Sequence, residues 1–133
     1  VQIGINDFSN SPEYAQLAKD LGILVITRAQ LRHQTPEEIW LRALAHIGSV
    51  DSIHVDIDVD VCDRAFVPAT PASAPGGISA FELRRFVREF CKSPAVKSID
   101  ITEIDSTKDS EDQRTVRLAA LMILEAAAGL LAR

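Results

Sequence analysis

Residues 52–71 read SIHVDIDVDVCDRAFVPATP. The first half alternates, with His54, Asp56, Asp58 and Asp60 at one set of positions and Ile53, Val55, Ile57 and Val59 at the other. A repeat of two is the period of a β-strand. Aspartate is a poor strand former, so three of them on one strand face require a reason other than backbone preference. Close carboxylates also repel and raise one another's pKa unless a cation or donor network compensates. A divalent metal is the simplest compensation, and a solvated strand face is the alternative. The sequel favours the metal: Val61-Cys62-Asp63-Arg64 leads into a Pro/Ala-rich loop closed by Gly76-Gly77. Open α/β sheets place ligands at such strand-to-loop junctions.

Outward from this strand, the chain alternates strands and helices. Val1 to Ile5 is apolar on both faces, as in a strand covered by helices on two sides. Ser11-Pro12 supplies an N-cap and a first-turn proline for a helix ending near Leu21-Gly22, and Ile23 to Thr27 is a second strand. Thr35-Pro36-Glu37-Glu38 opens a helix whose stripe is Ile39, Leu41, Ala43, Leu44 and Ile47, stopped by Gly48. After the Asp-rich strand and its loop, Ser79-Ala80-Phe81-Glu82 is another capping box. It starts a helix carrying Leu83, Phe86, Val87 and Phe90 to about Lys92. Val96 to Ile104 is the fourth strand, Ser106 to Gln113 a polar loop, and Arg114 to Leu131 an Ala/Leu-rich helix. The alternation predicts a three-layer α/β/α sandwich with a mainly parallel sheet.

With 133 residues and 47% hydrophobic content, residues 1–133 are expected to form one domain. The balance of 14 basic against 19 acidic residues, net −5, excludes nucleic acid and anionic membranes as expected partners. The most apolar segment, Leu118 to Ala132, is interrupted by Glu125 and Gly129 and is too short to span a bilayer. No signal peptide is evident, and Cys62 and Cys91 show no metal-type spacing, so a cytoplasmic protein with free thiols is expected. The opening Val1-Gln2-Ile3-Gly4-Ile5 has no initiator Met and is expected to continue from a longer chain.

Asp58-Val59-Asp60-Val61-Cys62-Asp63, followed by Phe66, Pro68, Pro71 and Gly76-Gly77, resembles the DxDxxD segment of the ureohydrolases: arginases, agmatinases and formimidoylglutamases. Gly4-Ile5-Asn6-Asp7-Phe8 and Asp100-Ile101-Thr102-Glu103-Ile104-Asp105 match the same family in order and spacing. The resemblance implies an arginase-like fold and a place in its C-terminal half. It implies a hydrolase of linear amidine or guanidine C–N bonds that uses two Mn2+ ions and is a homo-oligomer. It places metal ligation on Asp58 and Asp60 and substrate pairing on Glu103, with a weaker substrate role for Asp7. Asp63 falls where the family keeps an acid that stabilises the following turn, and Arg64 where proline is common.

Phe8-Ser9-Asn10-Ser11 with Tyr14 is most similar to formimidoylglutamases, which hydrolyse N-formimidoyl-glutamate to glutamate and formamide. An agmatinase- or arginase-type guanidino hydrolase is the alternative, as is a non-catalytic member used for association. The GGDH and DAHxD segments and further histidine that the resemblance requires are absent from residues 1–133, so the chain alone is expected to be inactive, with no catalytic residue assigned. Asp56 lies outside the matched motif and is expected either to support a metal-ligating neighbour by hydrogen bonding or to be a solvated or loop-bonded acid. Cys62 is expected to be a packed side chain. His33 and His46, placed on helical segments, and His54, at a strand start, are expected to be structural.

Overall fold

The computed structural model describes all residues from Val1 to Arg133, which divide into two compact units, Val1–Ser49 and Val50–Arg133. The first unit contains β1 (Gln2–Ile5), α1 (Pro12–Asp20), β2 (Val25–Thr27), α2 (Arg28–Leu31) and α3 (Pro36–Ile47). β1 and β2 pair in parallel, joined through α1. Ser11 caps α1 by accepting from the Tyr14 amide, and Thr35 and Glu38 form the reciprocal capping box that their spacing predicts for α3. Ile26, Leu31, Ile39, Trp40 and Ala43 are buried. The single-turn α2 is unanticipated, although Thr27-Arg28-Ala29-Gln30 is itself a capping box with both reciprocal bonds present. His33 lies in the turn that follows α2, not on a helix.

The second unit holds β3 (Ile53–Asp58), α4 (Ala80–Cys91), β4 (Val96–Thr102) and α5 (Arg114–Leu131). β3 and β4 run parallel, with Asp56 opposite Asp100 and Asp58 opposite Thr102. Strand pairing is confined to β1 with β2 and β3 with β4. The strand–helix–strand order with parallel pairing is the α/β class expected from the sequence.

The α4–α5 contact organises this unit's interior. Leu83, Phe86, Val87, Phe90 and Cys91 from α4 are buried, as are Leu118 and Met122 from α5. These recur at helical spacing on one face of each helix, the pattern of a buried stripe. Gly129 allows close approach, because a Cβ there would lie 2.4 Å from the Arg88 carbonyl oxygen and 2.9 Å from the Cys91 Cβ. Glu125, on the buried face of α5, is clamped by Arg84 Nε at 2.8 Å and Arg88 Nε at 2.6 Å. No helix is long and apolar enough to cross a membrane.

Candidate metal and substrate site

The strand period ends at Asp58. Val59–Val61 form a 3-10 turn, and the Asp58 carboxylate accepts from the Asp60 amide at 3.1 Å. A short acidic side chain that captures the amide two residues on competes with the strand ladder and turns the chain. Asp58 and Asp60 are therefore brought together by a turn, and not by a continuous strand running through Asp60. β4 likewise stops at Thr102, the register partner of Asp58. Glu103 follows it, outside the strand, with φ +64°. Left-handed backbone in a glutamate costs on the order of 1–2 kcal/mol and persists only where surroundings fix it.

The acids interact. Burial, the Asp58 charge, a hydrogen bond to Asp58, and the charges of Glu103 and Asp56 together push the Asp60 carboxyl up from 3.8 to about 6. These are four carboxylates whose mutual repulsion a hard divalent cation would reverse. The donor set fits part of a metal site only, since no group of three or more His, Cys, Asp or Glu is arranged to hold an ion. The linkage has a definite sign. A carboxyl whose folded pKa is raised contributes stability that is fully present below its unfolded value and lost as pH rises through the folded one. Without metal, the parent is therefore expected to lose stability between pH 3.8 and about 6. Thermal melts of Asp60→Asn in chelator should be flatter across this window and lie above the parent at neutral pH. Parallel profiles would contradict the assignment.

Asp56, His54 and His46 each have polar partners within their own unit. Asp56 accepts from the Thr102 hydroxyl at 2.8 Å, and His54 joins Ser98 Oγ (2.7 Å) and Asp100 (3.3 Å) across the strand pair. His46 meets the Gly22 carbonyl at 2.9 Å. Asp7 lies in the first unit, exposed in the turn after β1. A groove in that unit of about 770 Å³, lined by Tyr14, Leu17, Leu24 and Val25 among others, includes none of the acids singled out from sequence.

The loop after the acids is held by Asp63, whose carboxylate accepts from the amides of Ala65 (2.8 Å) and Gly76 (2.7 Å). Those two bonds hold its carboxyl below the usual value. Cys62 and Ile78 form a parallel bridge beside it. Arg64 ties the loop by donating to the Thr70 carbonyl at 3.0 Å and the Ser73 hydroxyl at 3.3 Å. Cys62 is fully buried, and burial with the nearby acids pushes its thiol up to about 12, which leaves it a packed, unreactive side chain. A Cβ on Gly77 would lie 2.4 Å from both Asp63 N and Cys62 C and 2.6 Å from the Val61 carbonyl oxygen. These are main-chain atoms and cannot swing aside. Gly77→Ala should therefore cost about 2 kcal/mol, read as a lower denaturation midpoint, and an unchanged midpoint would contradict this packing.

The arginase family model matches residues 1–129. The chain belongs to the arginase family. It is 39% identical over 125 residues to a formimidoylglutamase of Halalkalibacterium halodurans, covering 93% of this chain and 39% of that protein. It superposes on the crystal structure of Bacillus subtilis formimidoylglutamase with a TM-score of 0.88 at 32% identity, covering 95% of this chain and 40% of that one. A Trypanosoma cruzi formiminoglutamase crystallised with Mn2+ shares the fold, with a TM-score of 0.83 at 22% identity over 92% of this chain and 40% of that one. The chain thus spans about two fifths of the length of these relatives. The resemblance carried by Asp58–Asp63 and its two companion motifs is borne out, as is the arginase-like α/β class.

Thr102, Asp109 and Thr115 make contacts that no sequence pattern singles out. Thr102 stood within the matched DITEID string. Asp109, in a polar loop, carries no local signal, because its partners are up to seven residues away on α5.

Proposed function

We propose that this chain supplies two metal-ligating acids, Asp58 and Asp60, and the substrate-pairing Glu103 of a manganese-dependent formimidoylglutamase. The reaction is hydrolysis of N-formimidoyl-glutamate to glutamate and formamide. The observation that carries this reading is the placement of Asp58, Asp60 and Glu103 at or just past the carboxyl ends of the paired parallel strands β3 and β4, in a chain 39% identical to a formimidoylglutamase. Manganese is the metal of the Trypanosoma cruzi relative of the same fold, and two ions per complete site are proposed here.

Asp58 and Asp60 would hold metal, which when bound supplies Lewis-acid activation of water and of the amidine carbon. The carboxylate of Glu103 pairs with the amidinium by charge-assisted hydrogen bonds, fixing the reacting carbon and balancing its charge. Asp7 is proposed as a further substrate-facing acid on the resemblance of Gly4–Phe8 to the family alone. Residues 1–133 are proposed to be the C-terminal portion of one α/β domain, in a cytoplasmic homo-oligomer whose thiols stay free. Both cysteines are free and buried, which suits that compartment.

The test is manganese-supplemented hydrolysis by the intact protein of N-formimidoyl-glutamate, agmatine, arginine and 4-guanidinobutyrate. Preference for the first is expected. Preference for a guanidine overturns the substrate assignment, and turnover of none overturns the hydrolase reading.

A further inference from the structure

Glu103 occupies a backbone conformation, φ +64°, that a glutamate leaves unless its surroundings hold it there. The segment it opens is fastened at two places. Near its start, the Asp105 amide donates to the Ala69 carbonyl at 2.9 Å. At its end, the Asp109 carboxylate accepts from the amides of Ser110 (2.9 Å), Thr115 (3.3 Å) and Val116 (2.9 Å) and from the Thr115 hydroxyl (2.9 Å). The two fastenings are connected. Thr115 is fully buried, and its hydroxyl, while donating to Asp109, accepts from the Ala69 amide at 3.2 Å. The carbonyl of Ala69 thus holds the residue two after Glu103, while its amide is held by the start of α5.

Helix capping alone does not account for this. A serine or aspartate at position 113 would cap α5 locally, yet Gln113 stands there at φ 52° with no side-chain cap bond. The first-turn amides are instead taken by an acid from the loop that descends from Glu103.

We propose that Thr115 and Asp109 are positioning residues that hold Glu103 in place at the carboxyl end of β4, through Ala69 and Asp105. This rests on the reading of Glu103 as the substrate-pairing acid. Release of the restraint lets residue 103 relax to an ordinary backbone conformation and carries its carboxylate off the amidinium. Misplacements of about 1 Å cost up to about 10²-fold in rate, and loss of partners around a site residue about 10–100-fold.

The experiment is a double-mutant cycle in the intact protein, read as kcat/KM for N-formimidoyl-glutamate with Mn2+ and accompanied by melting curves. Thr115→Val should lower kcat/KM by about 10–100-fold, and Thr115→Ser, which keeps the hydroxyl, should stay near the parent. In a Glu103→Gln background Thr115→Val should cause no further loss, because the residue it positions is already disabled. Hydrogen exchange at the Asp105 amide should accelerate in Thr115→Val and not in Thr115→Ser. Should Thr115→Val fail to fold, Asp109→Asn takes its place in the cycle. Losses that multiply in the double variant, or a serine variant as impaired as the valine one, overturn the positioning role. Full kcat/KM in Glu103→Gln overturns instead the reading of Glu103 beneath it.

Discussion

Asp58→Asn and Asp60→Asn, each made in the intact protein, should abolish amidine hydrolysis while the fold is kept. Each substitution keeps side-chain volume and removes the charge that a hard cation requires. The loss should exceed the ~10–100-fold typical of groups that merely support a ligand. The fold survives because the Asp58 bond to the Asp60 amide needs only an acceptor oxygen, which asparagine retains. In chelator both variants should equal or exceed the parent in stability at neutral pH, since burial and like charge work against the ionised Asp60. Turnover measured beside circular dichroism checks both halves. Full activity in either variant would remove that residue from the metal site.

The largest stability effect is expected at the α4–α5 contact, and it should be asymmetric. The Glu125 side chain is 7% exposed, whereas those of Arg84 and Arg88 are 39% and 53% exposed. Removing the carboxylate leaves two guanidinium groups that can turn to water. Removing both guanidinium groups leaves a buried charge without a partner, and such breakage costs about 3–5 kcal/mol. Arg84→Ala/Arg88→Ala should therefore lose roughly 3 kcal/mol, the lower end because truncation admits some water, and Glu125→Gln clearly less. Chemical denaturation of the three proteins checks the order, and a glutamine variant weaker than the double arginine variant would contradict it.

Much of this architecture is local and was legible. Thr35 with Glu38 and Ser79 with Glu82 cap helices through bonds spanning three residues, so spacing alone finds them. The apolar stripe Leu83, Phe86, Val87 and Phe90 is similarly a property of one helix. The acids were found because aspartate at strand spacing conflicts with strand preference, and such conflicts gather at functional sites. What period could not show is the exit from the strand at Asp58, since a side chain bonding an amide two residues on looks, in sequence, like continued alternation. Nor could it show the left-handed Glu103, or the tie from Ala69 to Thr115, 46 residues apart. Those features depend on contacts made only after β3, β4 and α5 have assembled.

Asp58 and Asp60 are proposed to hold manganese. Calorimetric titration of Mn2+ into the metal-free intact protein and its Asp58→Asn variant decides this. Two ions per chain are expected in the parent, with at least one site lost or strongly weakened in the variant. Identical stoichiometry and affinity in the two proteins would contradict it.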